Sequence, residues 1–444
     1  MRIRRGSETA GALSRFVLAT LGSLGDLHPY LALGAALRSR GHQVCVATSL
    51  SYQAKVERLD LEFRPVRPDL AQAMNSSPEV AGRAHRREDG TEYVLKELVL
   101  PFVEDTYHDL LGAFRGADLV VNHAVLLATP LAAEKLDICW ISAILSPGIF
   151  LSAYDPPLLP PFAWFHTLRH LGPFPHRLLH RVIDRITDRW MAPVHELRSR
   201  VGLPPARSNP VIAGLFSRHG TLALFSSLLA SPQPDWPADT ELTGFAFLNE
   251  PSPPLDAALM DFLESGDPPV VFTLGSDAVT DAGAFYRESL RAVRDLGCRA
   301  VFLTGNDPRN RLAEDLPDRV AVRAYAGYAA LFPRARAVVH SGGIGTVAET
   351  LRAGVPMLVV PFAADQFDNG VRIERLGYGR CVWRERYNAA RAQALIGELL
   401  SDTRFQERAR AARRHILTED GAGQACASLE RAVGCSTAMP AASP

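Results

Sequence analysis

Two short segments hold the residue types that do chemistry. The first runs His340-Ser-Gly-Gly-Ile-Gly-Thr-Val-Ala-Glu349, between an apolar run that reads as a strand and a stretch that reads as a helix. Glycines in such a turn let the backbone come close to a ligand, and the free N–H groups of the first helical turn attract phosphate oxygens. Beyond it, Ala353-Gly354-Val355-Pro356-Met357 leads through another apolar run to Pro361-Phe-Ala-Ala-Asp365-Gln366-Phe-Asp-Asn369, which puts acidic and amide groups at a strand's carboxyl end. Ligands of open α/β sheets collect at that edge. The second segment is Gly22-Ser-Leu-Gly-Asp26-Leu-His28-Pro29. It lacks the third glycine of a dinucleotide fingerprint, which argues against NAD. A hydroxyl has a pKa far above neutrality, so it loses its proton only as its new bond forms, and a nearby carboxylate or imidazole can take that proton. Asp26 is the first candidate for that base and His28 its rival. The alternative for Asp26 is N-capping of the next helix, a role one side chain could not readily combine with catalysis.

The elements that would carry these segments follow a βαβ rhythm. An apolar run at Phe16 to Leu21, the Gly-rich turn, a helix ending near Arg40-Gly41-His42 and a strand at Val44 to Ala47 make one unit. Leu119-Val120-Val121 and Trp140-Ile141-Ser142 are further strand candidates. The rhythm restarts at Val270 to Ser276, Ala300 to Leu303, Ala337 to Val339 and Met357 to Val360. Short apolar runs alternating with helices imply parallel sheets covered on both faces. The fold class is therefore α/β, two doubly wound parallel-sheet halves in tandem. Residues 231–255 have linker composition, so the halves are expected at 1–230 and 231–434, with a frayed tail at 435–444. Residues 147–210 break the pattern with many prolines, several aromatics and a helical stretch from about His176 to Val201. They suit a substrate-facing wall or an ordinary amphipathic helix pair. Arg177, Arg181, Arg185 and Arg189, at i,i+4 spacing, leave open a peripheral contact with anionic lipid.

Composition narrows the class. The chain has 444 residues, 47% hydrophobic and 22% charged, which fits two or three globular domains and no disordered or collagen-like chain. Lys plus Arg equals Asp plus Glu at 48 each, so nothing favours nucleic acid as a partner. The six cysteines are scattered without a C-x-x-C and read as buried thiols of a cytoplasmic protein. The run at Phe16 to Leu21 is short for a signal peptide and has no small-residue cleavage site, and no window spans a membrane. No D-x-D tripeptide and no ligand-spaced His/Cys/Asp/Glu cluster occurs, so a metal-independent site without a resident cofactor is expected.

Residues 340–379 closely resemble the donor-binding signature of the family 1 glycosyltransferases. That resemblance implies the GT-B fold, two Rossmann-like domains facing across a cleft, with a nucleotide-diphosphate sugar between them. It implies pyrophosphate on Gly342, Gly343, Gly345 and Thr346, ribose near Glu349, and sugar hydroxyls near Asp365 and Gln366. Ser276 takes the place of the family's phosphate-contacting serine, and Tyr325 that of its base-packing aromatic, although the proline usual two positions later is Gly327 here. Counting back from Glu349, the register of the phosphate-binding histidine falls on Ser341, with His340 one residue earlier; the expectation is that His340 or the Ser341 backbone touches phosphate, and the alternative is that His340 caps its strand. Many family members carry Gly-His-x-x-Pro after strand one, and a bacterial subgroup Gly-Asp-x-x-Pro, as here. Where the family's His-type members orient the base with a carboxylate beyond strand four, this chain has His123, which suggests an inverted pair with Asp26.

The resemblance thus implies an inverting hexosyltransferase that uses a nucleotide-sugar donor and a lipophilic hydroxyl acceptor. Gln233-Pro-Asp-Trp236, Leu242-Thr-Gly-Phe245, Phe302-Leu-Thr-Gly305 and Asp365 to Asn369 look like the bacterial rhamnosyltransferases of rhamnolipid synthesis, which join dTDP-L-rhamnose to a hydroxy fatty acyl acceptor; the expected location is cytoplasmic, with peripheral contact at the inner membrane left open. The alternatives are a UDP-glucose transferase for a sterol, polyketide or other natural product, a nucleotide-sugar epimerase, and an inactive partner subunit.

Overall fold

The computed structural model describes residues 13–249, 254–312 and 315–436. Thirteen strands are found among them. Seven form one sheet: β1 (Arg15–Ala19), β2 (Gln43–Thr48), β3 (Glu62–Pro65), β4 (Leu119–His123), β5 (Trp140–Ile144), β6 (Thr221–Ala223) and β7 (Thr240–Leu242), in the order β3-β2-β1-β4-β5-β6-β7. Six form the other: β8 (Val270–Thr273), β9 (Ala300–Leu303), β10 (Val320–Arg323), β11 (Ala337–His340), β12 (Met357–Val359) and β13 (Gly379–Cys381), in the order β10-β9-β8-β11-β12-β13. Every pairing is parallel. The helices used below are α1 (Leu24–Ser39), α2 (Pro78–Ala84), α3 (Phe174–Trp190), α4 (Gly275–Ala278), α5 (Ile344–Ala353), α6 (Gln366–Leu376) and α7 (Gly421–Ser436).

Central strands are apolar throughout because both faces are covered. In β1, Phe16 and Leu18 pack with α1 residues such as Tyr30 and Leu31, while Val17 and Ala19 pack on the opposite layer with Tyr107 and Leu110. The period of two is that of a strand with alternate residues on opposite faces. In each sheet the chain reverses its direction of growth beside the first strand, between β1 and β4 and between β8 and β11. Loops leaving these strands part to opposite sides and open a crevice at their carboxyl ends. The segments after β1, β4, β8 and β11 leave their sheets at these two points, while Pro361 to Asn369 follows β12, next to β11, and Tyr325 follows β10.

The boundary between the halves differs from the expectation. Residues 231–242 do not form a linker: Trp236 is buried and stacks on Phe150 with ring centroids 4.0 Å apart, and β7 adds to the first sheet beside β6. The prolines mislead because they surround a packed tryptophan. The second half also does not keep its last helix. Ala425, Cys426 and Leu429 of α7 are fully buried in the cluster that holds Leu33 and Val44, and Glu430 pairs with Arg40 and His42 at 2.9 and 3.1 Å. The same cluster continues into Val347, Leu351 and Met357, so the halves share a core. The expected tail begins inside α7; its residues beyond 436, like the first twelve of the chain and Glu250 to Pro253 of the expected linker, lie outside the described residues.

The expected helix from His176 to Val201 is two helices, α3 and a following one at Ala192–Arg200, parted at Met191 where Pro193 enters the new first turn. Among the described residues, no helix is long and apolar enough to cross a membrane. On α3, Phe174, Leu178, Val182 and Ile186 are exposed. Arg177, Arg181, Arg185 and Arg189 form a second exposed row beside them.

Candidate active site

The loop after β1 is built around Asp26. Gly22 has φ 132°, and a Cβ there would fall 2.3 Å from the Asp26 carboxylate, so only glycine lets the side chain fold back over the turn. Ser23 is the N-cap of α1: its Oγ accepts from Gly25 N–H at 3.1 Å, and its own N–H and Oγ–H donate to Asp26 Oδ2 at 2.7 and 3.0 Å. This is a capping box with an aspartate at the third helical position. Capping thus occupies only one Asp26 oxygen, so the two roles that the sequence sets against each other are geometrically compatible. Oδ2 closes the cap, and Oδ1 is left 3.5 Å from His123 Nε2. His123, at the end of β4, is buried, and burial lowers its pKa against the opposing pull of the Asp26 charge. His28 is pushed down to about 4 by burial and by the Lys55 charge, and its Nε2 is enclosed without a hydrogen-bond partner. Both imidazoles are neutral near pH 7.

The turn after β11 faces this loop. Gly342 has φ 92°, and its N–H donates to His340 Nδ1 at 3.0 Å. His340 is fully enclosed, its Nε2 lies 3.3 Å from the Met357 sulfur, and burial lowers its pKa to about 3. The expectation that His340 touches phosphate is corrected: with one nitrogen taken by Gly342 and the ring shut in, it shapes the turn. Ser341 Oγ donates to the Leu274 carbonyl at 3.0 Å, joining the turn to β8. Gly343 is the N-cap of α5, which leaves the N–H groups of Ile344 and Gly345 free of helical partners, while Thr346 N–H donates to the Gly343 carbonyl at 3.0 Å. A Cβ on Gly345 would come within 3.7 Å of Gly25 Cα. The N-termini of α1 and α5 thus converge, one from each half.

Around them stand the other expected residues. Ser276 is exposed in α4, beside Gly275, whose Cβ position is 3.7 Å from Thr346 Oγ1. Glu349 pairs with Arg352 at 2.9 Å, and burial raises its pKa. Tyr325 follows β10 and is 70% exposed. Asp365 accepts from Asn369 Nδ2 at 2.9 Å, and its pKa is raised to about 7, mainly by burial, with Asn369 opposing and the Asp26 charge adding to the rise. Gln366 is buried: its Oε1 accepts from Phe362 N–H and Ala363 N–H at 2.9 and 3.1 Å, and its Nε2 donates to Asp277 Oδ2 at 3.3 Å.

Several members of the site are not marked individually by the sequence. Asn369 Nδ2 also donates to the Gly342 carbonyl at 3.0 Å, and its Oδ1 accepts from Ser146 Oγ of the first half at 3.1 Å. Asn369 lies inside the quoted Asp365 to Asn369 stretch, but its reach back to the glycine turn shows only in three dimensions. Leu158 N–H donates to Asp368 Oδ1 at 3.0 Å, and Arg372 joins Asp368 to Asp155. The proline-rich segment after β5 is thereby fastened to α6. His85, after α2, reaches Asp277 and Asp281 across the cleft. Among the described residues, no group of three or more His, Cys, Asp or Glu side chains could hold a metal ion.

The comparisons with known proteins agree with this geometry. Residues 16–152 match the glycosyltransferase family 28 N-terminal domain, and residues 289–428 match the C-terminal domain of erythromycin biosynthesis protein CIII-like proteins. The chain is 34% identical to the O-mycaminosyltylonolide 6-deoxyallosyltransferase of Streptomyces fradiae over 94% of its own length and 97% of that protein's. It is 28% identical to a sterol 3-beta-glucosyltransferase of Aspergillus terreus, covering 94% of this chain but only 30% of that larger protein. The crystal structure of the spinosyn rhamnosyltransferase SpnG with thymidine diphosphate superposes with a TM-score of 0.64 at 18% identity, covering 94% of this chain and 100% of that one, which establishes the fold. Two parallel-sheet halves with the two loops above facing each other, together with these matches, make the chain a hexosyltransferase of the family 1 glycosyltransferases, with the GT-B fold.

Proposed function

We propose that the chain moves a deoxyhexose from a thymidine-diphosphate sugar to a hydroxyl of a lipophilic acceptor, with inversion, with Asp26 as the base and without a metal or resident cofactor. The observation that carries this reading is the pairing of Asp26 Oδ1 with His123 at 3.5 Å where the N-termini of α1 and α5 converge. As the acceptor oxygen bonds to the anomeric carbon, its proton passes to Asp26 Oδ1, and the neutral His123 gives that proton a second resting place. The bond from the anomeric carbon to the diphosphate oxygen breaks, and its electron pair leaves with the diphosphate. The free N–H groups of Ile344 and Gly345, at a positive helix end, meet that developing charge. No ligating cluster among the described residues competes for this role.

The donor base and sugar draw support from the relatives. The Streptomyces fradiae enzyme is named for transfer of a 6-deoxyallosyl group, and the structural neighbour is a rhamnosyltransferase holding thymidine diphosphate. Rhamnose is also a 6-deoxyhexose, so dTDP-L-rhamnose is the donor to test first. The sterol glucosyltransferase likeness supports the second reading, UDP-glucose with a sterol or polyketide alcohol.

The test offers dTDP-L-rhamnose and UDP-glucose in parallel to the purified chain in EDTA, each with a macrolide, a sterol and a hydroxy fatty acyl acceptor. Transfer from one donor in EDTA is the expected result. Activity that returns only with a divalent cation would overturn the metal-free step, and epimerisation of the sugar without transfer would overturn the reaction.

A further inference from the structure

One side chain from the first half enters the second half's site without belonging to any segment that the sequence marks. His85 lies just beyond α2, and its imidazole is only 1% exposed. Its Nε2 is 3.2 Å from Asp277 Oδ1, and its Nδ1 is 3.5 Å from Asp281 Oδ2. Asp281 is also held by Arg384 Nη1 at 2.6 Å, so two cations face two carboxylates. Burial alone would pull the imidazole's pKa down, but the hydrogen bonds and charges of Asp277 and Asp281 outweigh it and lift it to about 9.

The chain of contacts continues to the residue expected at the donor sugar. Asp277 spends one oxygen on His85 and the other on Gln366 Nε2, at 3.3 Å. The Gln366 carbonyl accepts from Phe362 N–H and Ala363 N–H, so the Nε2 end of the amide is the one that faces Asp277. A primary amide has two N–H donors. One is directed to Asp277, and the other is left for a hydroxyl. We propose that His85 is a positioning residue for the donor sugar: by clamping Asp277 from across the cleft it sets the Gln366 amide, so that the sugar-reading group is complete only when the two halves are together. This rests on the glycosyl-donor reading above and goes beyond it in making sugar recognition, but not nucleotide recognition, depend on a first-half residue.

The test uses the full chain and measures calorimetric binding of dTDP, dTDP-L-rhamnose, UDP and UDP-glucose to wild type, His85→Phe, His85→Gln and Asp277→Asn. His85→Phe keeps a ring against Phe362 but has no donor for Asp277. It is expected to weaken binding of the preferred sugar nucleotide about tenfold or more while the bare nucleotide changes less than about twofold, as loss of a hydrogen bond to a charged group implies. Asp277→Asn should do the same. His85→Gln, which restores a donor, should recover part of the loss, and in turnover the defect should sit in the donor KM rather than kcat. Equal weakening of nucleotide and sugar nucleotide would mean a merely structural role and overturn the proposal, as would unchanged binding in His85→Phe. A wild type that binds none of the four ligands sinks the donor reading and this proposal together, whereas a wild type that binds sugar nucleotides beside an unchanged His85→Phe sinks only the role of His85.

Discussion

Asp26 makes a clean mutational target because Oδ2 closes the α1 cap while Oδ1 is the proposed base. Asparagine keeps one oxygen to accept the Ser23 N–H that Oδ2 now takes at 2.7 Å, so the cap of α1 survives in Asp26→Asn while the base is lost. Turnover should fall about 10²- to 10⁴-fold with the melting temperature little changed, measured by initial rates and thermal unfolding. Full activity in this variant would move the base to His28. Asp365 gives a second expectation. Its folded pKa is raised to about 7, so the native state holds a proton that the unfolded chain releases near the ordinary carboxylate range. Stability contributed by that proton is present at low pH and declines as pH rises toward 7. Asp365→Asn should flatten that decline in denaturant midpoints measured from pH 4.5 to 8. At this scale residue type was legible and atomic contact was not. The sequence places Asp26, His123 and Asp365 by motif, but it does not tell that His340 is sealed in or that the Gln366 carbonyl is taken by backbone N–H groups. Such facts depend on neighbours whose positions no local pattern encodes.

Among elements, the turn after β1 is the most demanding. Gly22→Ala would force a Cβ into the space of the Asp26 carboxylate at a backbone angle that alanine disfavours. It should cost about 1–3 kcal/mol of stability and lower kcat as well, in contrast to Asp26→Asn; equal stability in urea titrations would contradict this account. On α3, the exposed row of Phe174, Leu178, Val182 and Ile186 beside four arginines has the form of an interfacial helix. We propose that this row docks on anionic lipid: sedimentation with anionic vesicles should then retain the wild type and release Phe174→Ser/Leu178→Ser, and retention of neither, or equal retention on neutral vesicles, would overturn it. The strands most easily read were β1, β4, β8 and β11, whose runs are continuous because both faces are covered. Those missed, β3, β6, β7, β10 and β13, have only three or four residues each, and most include polar or charged side chains. Short strands away from the switch points need little apolar length, so their sequences look like loops.

At the scale of the molecule, the halves are joined by buried charge as well as by a shared core. Arg372 sits between Asp155 of the first half and Asp368 of its own helix, with side chains 3%, 16% and 4% exposed for Arg372, Asp155 and Asp368. Replacing only the cation, as in Arg372→Met, strands buried carboxylates and should cost about 3–5 kcal/mol in urea unfolding. A loss below about 1 kcal/mol would mean that water or Arg375 takes its place. The two doubly wound halves were legible from the restarted βαβ rhythm. Their true border was not, because composition cannot show that Trp236 is packed or that α7 returns to α1.

That return of α7 governs how the protein can be made. Arg40 and Glu430 meet across 390 residues of chain, and the face of α1 around Leu33 is covered by a helix synthesised after the whole second sheet. During translation α1 therefore emerges with one apolar face open, and that face closes only once α7 has cleared the ribosome. A split version cut between β7 and β8 would pair badly if each half kept only its own stretch of sequence, whereas a circular permutant that begins at α7 would deliver the missing cover first.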